Sequence, residues 1–243
     1  MGFLRDVLDL VLPPNCSVCG RFADGDERIP YAVPDNLHIC FDCLTKLVPN
    51  PSSKRFFLCL SEPYNGDPYP SLGLYLLFPY DGFWERAIPK IKFESHSELA
   101  IFGGMILGSF MLKDKIAADV IIPIPLSPKR QRERGYNQAS LLAGAASEIT
   151  QIPCVNDGLL RVRDTKRQAD IEDNGVRASN IEGAFKANPE FDFSGLTVIV
   201  LDDVATTGHT LHEAACEIYK AGAKKVMCVT LCGNRAVLNG EIY

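Results

Sequence analysis

Residues 198–211 read Val-Ile-Val-Leu-Asp-Asp-Val-Ala-Thr-Thr-Gly-His-Thr-Leu. Val198 to Leu201 is a short apolar run rich in β-branched residues, the pattern of a buried strand. Asp202 and Asp203 stand at its carboxyl end. Ala205, Thr206, Thr207, Gly208, His209 and Thr210 then lead into a helical pattern. There Leu211, Ala214, Ala215, Ile218 and Tyr219 share one face, and Gly222 falls where a helix stops.

A strand that runs into a helix leaves its loop at the carboxyl edge of a parallel sheet, where open α/β folds bind ligands. Hydroxyls and unpaired backbone N–H groups at a helix start suit a phosphate monoester, and Gly208 lets the backbone approach that anion. The two carboxylates upstream repel phosphate. They accept hydrogen bonds from sugar hydroxyls or sit near a magnesium ion. A phosphate at one end and a diol at the other describe a ribose 5-phosphate.

The stretch resembles the signature loop of type I phosphoribosyltransferases, which holds 5-phosphoribosyl 1-diphosphate (PRPP). The resemblance rests on the order apolar strand, acidic pair, Thr-Thr-Gly-x-Thr, helix. The alternative is an ordinary strand–turn–helix with an acidic turn and a threonine cap.

The chain has 243 residues, 47% of them apolar, and a formal net charge of −5. It can build a sizeable core, and it is no polycation, so nucleic acid would have to meet a local basic patch. No apolar run approaches membrane-spanning length. The opening residues, 1–14, lack the basic start and small-residue cleavage site of a secretory signal. Phe3, Leu4, Val7, Leu8, Leu10, Val11 and Leu12 predict a short apolar-faced helix, docked on its own protein or, as the alternative, on a partner or membrane.

Nine cysteines are present, four of them in two Cys-x-x-Cys pairs. Cys16 and Cys19 are separated from Cys40 and Cys43 by twenty residues. Two such turns complete a tetrahedral four-cysteine site, expected to hold a structural zinc ion because no position is left for water. Four unrelated buried cysteines, or a redox pair, are the alternatives. Cys154, Cys216, Cys228 and Cys232 read as small core hydrophobes.

Residues 49–71 are rich in Pro, Ser, Asn and Gly and read as a linker. A strand is expected over 72–80. A short helix interrupted at Pro89 follows, carrying Lys90 and Lys92, and then a helix over 98–112 whose Gly103 and Gly104 permit close packing. Asp119 to Ile124 predicts a second buried strand, leading through Pro125 into a basic loop with Lys129, Arg130, Arg132 and Arg134. Its place at a strand's carboxyl end favours an anion site over a solvated turn. Asn137 can cap the next helix, on which Leu141, Leu142, Ala145, Ala146 and Ile149 share a face. A second basic stretch spans 161–167, and 225–231 reads as the last strand.

Taken together the chain resembles the ComF family of competence-associated, phosphoribosyltransferase-like proteins. The resemblance rests on the paired Cys-x-x-Cys, Ile124-Pro125, Arg134-Gly135-Tyr136-Asn137-Gln138, Thr165 with Gln168, Arg177 with Asn180-Ile181 and Phe185, and the Asp202 stretch. Relatives commonly carry further Cys-x-x-Cys pairs, whereas here only Cys59 follows the first two.

The resemblance implies an α/β fold of the type I phosphoribosyltransferase kind: a mostly parallel sheet flanked by helices, with a small hood and an N-terminal zinc module. We expect residues 1–65 to form the module and linker and 66–243 the phosphoribosyltransferase-like domain. Asp202 and Asp203 would hold the ribose, and Ala205, Thr206, Thr207, Gly208, His209 and Thr210, with Pro125 and Lys92, the rest of PRPP and its magnesium. Lys129, Arg130, Arg132 and Arg134 with Tyr136, Asn137 and Gln138 would meet pyrophosphate or single-stranded DNA. A cytoplasmic role in DNA uptake beside a DNA helicase is implied, and so is the alternative of an active phosphoribosyltransferase with an unidentified acceptor.

Overall fold

A computed structural model describes residues 14–23, 34, 36–47, 54–59, 71–163 and 182–234; for 54–59 and Ser71 it describes only the backbone. The helix expected near the amino end, and Thr165, Arg167, Gln168, Arg177, Asn180 and Ile181, lie outside the described residues.

Strand β6 (Thr197–Ala205) is an inner strand of the sheet. Its Ile199, Val200 and Leu201 are fully buried, as expected for a strand covered on both faces. It pairs in parallel with β3 (Val120–Pro123) on one side and β7 (Lys225–Gly233) on the other. Next to β7 lies β2 (Ser71–Pro79), also parallel, and at the edge β1 (Lys54–Cys59), antiparallel to β2. The order is thus β1-β2-β7-β6-β3. The stretch read as a linker therefore contains a strand. Arg-Phe-Phe-Leu-Cys at 55–59 is a short β-prone run, and a partner strand decides such a run where flanking Pro and Gly obscure it.

One face of the sheet is covered by three helices. Helix α2 (Gly82–Phe93) continues past Pro89, where the sequence predicts an interruption. An interior proline costs about 3 kcal/mol. Burying Phe83, Trp84, Ile88 and Ile91 returns about 1.5–3 kcal/mol for each, so packing wins. Trp84 meets Phe83 edge-on at 4.9 Å and Phe78 at 5.5 Å. Helix α3 (Ser97–Lys113) lies against α5 (Gln138–Thr150). A side chain at Gly104 would fall on the Leu142 carbonyl, and one at Gly108 would come within 2.8 Å of Ile149. The glycines are what lets the two backbones touch. Between β3 and α5 the expected basic loop is itself a helix, α4 (Pro128–Arg134). Ser127 caps its start, Pro128 opens it and Gly135 closes it in the left-handed conformation, signals that outweigh the charge run.

The other face is covered by α6 (His209–Lys220), which buries Leu211, Ala214, Ala215, Ile218 and Tyr219 as its periodicity predicts. Strands β4 (Leu159–Arg161) and β5 (Phe185–Ala187) form a separate antiparallel pair, whose Leu159 and Phe185 join the same buried cluster as Leu211 and Ile218 of α6. Arg161 stacks over Phe185 at 5.2 Å, and Gly183 N–H donates to Glu213 Oε1 of α6 at 2.6 Å.

The cysteine module consists of a turn after Cys16, an Asn15–Phe22 antiparallel bridge and the one-turn helix α1 (Phe41–Leu44). Val18, Leu37 and Ile39 join the same apolar cluster as Phe83 and Trp84. No helix among the described residues is long and apolar enough to cross a membrane.

Candidate functional site: an anion cradle at the carboxyl edge of the sheet

Asp202 and Asp203 sit where β6 leaves the sheet, and strand alternation sends their side chains to opposite faces. Asp203 is buried, with 6% of its surface exposed, and turns toward α2. There Lys92 Nζ lies 2.7 Å from its Oδ2. Burial alone would lower the Lys92 pKa, but the two carboxylates, Asp203 first, hold it above the ordinary lysine value. Apart from this ion pair, Asp203 Oδ2 has no hydrogen-bond partner among the described residues.

Asp202 is half-buried and accepts the Asp203 N–H through Oδ1 at 2.8 Å. Burial, and then the Asp203 charge, push its carboxyl up to about 8, against the pull of Lys92. Asp202 therefore holds its proton more tightly than an ordinary aspartate.

Past Ala205 the chain turns through Thr206 and Thr207 to Gly208, whose φ of +81° a side chain would strain. Gly208 takes the N-cap position without a side-chain cap, so the first N–H groups of α6 face the loop. Thr207 Oγ1 and His209 Nδ1 are 2.8 Å apart, which ties the loop to itself. Gly208 leaves the helix start without a side-chain cap, and such a start, with threonine hydroxyls and the positive end of a helix dipole, suits an anion.

The β3–α4 loop lies alongside. Ile124 N–H donates to Leu201 C=O at 2.9 Å, which brings Pro125 to the acidic pair. Asn137 caps α5 through Ala139 N–H and donates from Nδ2 to Ile124 C=O at 2.9 Å. Arg161 of β4 reaches Pro125 C=O at 3.4 Å, a link the sequence pattern did not reveal. Arg134 donates to the buried Gln138 Oε1 at 2.9 Å and stacks over Phe93 at 5.3 Å. Tyr136 donates to Ile91 C=O at 2.5 Å, and its ring is half-packed against the core. Lys129 and Arg132 are exposed on α4, and Arg130 is half-buried.

In the module, Cys16, Cys19, Cys40 and Cys43 bring their sulfurs within 4.8 Å of one another. Cys19 and Cys40 sulfurs are 3.6 Å apart. A tetrahedral site with metal–sulfur bonds of about 2.3 Å needs sulfurs about 3.8 Å apart, so the cluster fits a metal ion. Burial raises Cys19, but hydrogen bonds from Arg21 outweigh it and bring the thiol down to about 6. Burial raises Cys43 and Cys40. A bound cation would offset that cost of charging them.

The phosphoribosyl transferase domain matches residues 139–239 of this chain. Competence protein F of Haemophilus influenzae is 38% identical over 109 residues, which are 44% of this chain and 47% of that one. The match thus spans about half the length of that relative. Competence protein ComFC of Bacillus subtilis is 30% identical over 64% of this chain and 62% of its own. DNA utilization protein YhgH of Shigella flexneri is 30% identical over 226 residues, 89% of each chain. The chain belongs to the ComF family.

This ComF-family chain has the type I phosphoribosyltransferase fold, with a four-cysteine cluster at its amino end. Among solved structures, glutamine PRPP amidotransferase from B. subtilis, complexed with ADP and GMP, aligns at 18% identity over 59% of this chain and 30% of that one, with a TM-score of 0.41. A purine phosphoribosyltransferase from Pyrococcus horikoshii aligns at 23% identity over 55% and 70%, with a TM-score of 0.32.

Proposed function

We propose that this ComF-family protein binds PRPP at the carboxyl edge of its sheet and handles single-stranded DNA during DNA uptake, in the cytoplasm and beside a competence DNA helicase. One observation carries the PRPP reading: an uncapped helix start, opened by a left-handed Gly208, directly follows an acidic pair braced by Lys92. The loop from Ala205 to Thr210 would take the 5-phosphate on backbone N–H groups and on the Thr206, Thr207 and Thr210 hydroxyls. Asp202 and Asp203 would accept the ribose hydroxyls. Pro125, Lys92 and the α4 cations would border the pyrophosphate. Magnesium, when bound with PRPP, would neutralise pyrophosphate charge. Zinc suits the cysteine cluster, whose four thiolate donors leave no open position.

Lys129, Arg130, Arg132 and Arg134 concentrate positive charge on one seven-residue helix of an acidic chain. That placement supports contact with a phosphate backbone. The names of its relatives, competence and DNA utilization proteins, support the same reading.

A working phosphoribosyltransferase is the second reading, favoured by the buried carboxylate beside the sugar position. Asp203 would stabilise positive charge as it develops at the anomeric carbon.

Calorimetry with PRPP tests the site. Thr207→Ala and Asp203→Asn should each cost about ten- to a hundredfold in affinity, the worth of a hydrogen bond to a charged group. Unchanged affinity in both would sink the assignment. Incubation with PRPP, magnesium and a nucleobase panel separates the readings, since acceptor-dependent pyrophosphate release supports the enzyme. For DNA, replacing Arg132 and Lys129 with Ala should flatten the slope of log affinity against log salt by about 1.4, at about 0.7 per single-strand contact.

A further inference from the structure

A cleft of about 160 Å³ opens beside the Lys92–Asp203 ion pair, lined by Lys92, Phe93, Ser95, Glu133 and Arg134. It is smaller than the roughly 300–1,000 Å³ of a drug-sized pocket and suits one flat ring. Its most unusual wall is Phe93. This last residue of α2 leaves 60% of its surface exposed, although α2 buries five other residues on its inner face. The Arg134 guanidinium lies 5.3 Å above the ring, and Gln138 Oε1 holds its Nη1 at 2.9 Å. Gln138 is itself buried, at 2% exposure, so the guanidinium is fixed from behind. An aromatic ring braced on one face by a held cation is a stacking platform with a defined plane. Charge defines the surroundings: Lys129, Arg130, Arg132 and Arg134 share α4 with Glu133, its one acidic residue.

We propose that this cleft takes one unpaired base of a DNA single strand, stacked on Phe93, while the α4 cations hold the phosphates on either side. The inference rests on the single-strand reading above and gives it a specific contact. Glu133 is an acceptor at the cleft wall. It suits the exocyclic amino group of cytosine or adenine better than thymine, whose one donor, N3–H, is flanked by two carbonyl oxygens that repel a carboxylate. The cleft adjoins Lys92, so a base seated in it lies next to the PRPP position, and occupancy of one bears on the other.

Four 15-mers test this: dC15, dA15, dT15 and a fully abasic strand of the same length. Each is titrated against the whole protein at several salt concentrations. The parent should prefer dC15 over the abasic strand by about five- to a hundredfold, the usual worth of stacking one base on an aromatic side chain. Phe93→Ala should erase that preference yet keep the abasic affinity and its salt slope, and Phe93→Tyr should restore it. Phe93 is exposed, so its truncation opens no core cavity. Glu133→Gln should leave stacking intact and narrow the preference for dC15 and dA15 over dT15. PRPP affinity, measured by calorimetry, should change less than twofold in Phe93→Ala. Equal binding of dC15 and the abasic strand by the parent would overturn the base site and leave the strand reading standing. So would a Phe93→Ala variant that keeps the preference. Absence of binding to all four strands at low salt would overturn both together. Saturation by free cytosine without strand binding would assign the cleft to a small acceptor and overturn the proposal as well.

Discussion

Lys92 at the end of α2 and Asp203 at the end of β6 form an ion pair of 2.7 Å across the mouth of the sheet. Asp203 is buried and Lys92 keeps about a quarter of its side chain exposed. The cation thus shields a carboxylate that water barely reaches. Lys92→Met should therefore destabilise the fold by about 3–5 kcal/mol, nearer the lower figure because Lys92 is partly solvated. Adding Asp203→Asn should recover much of the loss. Urea unfolding of the two single variants and the double variant gives the coupling, and additive losses would show that the pair is not coupled.

Asp202 sets a pH dependence of definite sign. Its carboxyl titrates near 8 in the folded protein, raised by burial and by Asp203. Unfolded, it would titrate near 3.9. Between these values the native state holds a proton that the unfolded state has released, so stability falls as pH rises from about 4 to 8. The limiting slope from this one group is about 1.4 kcal/mol per pH unit. Asp202→Asn should flatten the profile and be more stable than the parent at pH 8. A profile of unchanged slope in the variant counts against the assignment.

Freshly purified protein should carry about one zinc ion per chain, by elemental analysis. Cys40→Ser should carry clearly less, and its module should become protease-sensitive, because so small a unit relies on its metal. Full metal content in Cys40→Ser would remove zinc from this cluster.

Two glycine substitutions should act in opposite directions. Gly104→Ala drives a methyl group into the Leu142 backbone and should cost about 1–3 kcal/mol. Gly144→Ala, on α5 with nothing within 4 Å of the added carbon, should gain up to about 1 kcal/mol from helix propensity. Thermal melts of both variants decide the matter.

What the sequence made legible was local. The Val198–Leu211 stretch gave strand, turn and helix in order because each carries its own signal: β-branched residues, a glycine, a 3.6-residue repeat. Asn137 as a cap and the two cysteine pairs were readable for the same reason. The misreadings concern competition. Pro89 marks a break by propensity, yet tertiary burial of Trp84 and its neighbours overrides it. The Lys129–Arg134 charge run hid a helix whose caps were in plain view at Ser127 and Gly135. Strand β1 needed β2 to exist, and no local pattern announces an edge partner. The Lys92–Asp203 pair, the Arg161–Pro125 contact and the Arg134–Phe93 stack join residues distant in sequence, and only the fold brings them together.

Glu213 stands one turn into α6 and accepts the Gly183 N–H, just before β5, at 2.6 Å. The same helix begins at the Thr206–Gly208 loop. The helix start proposed to take the phosphate and the β4–β5 pair are therefore joined through one helix, α6.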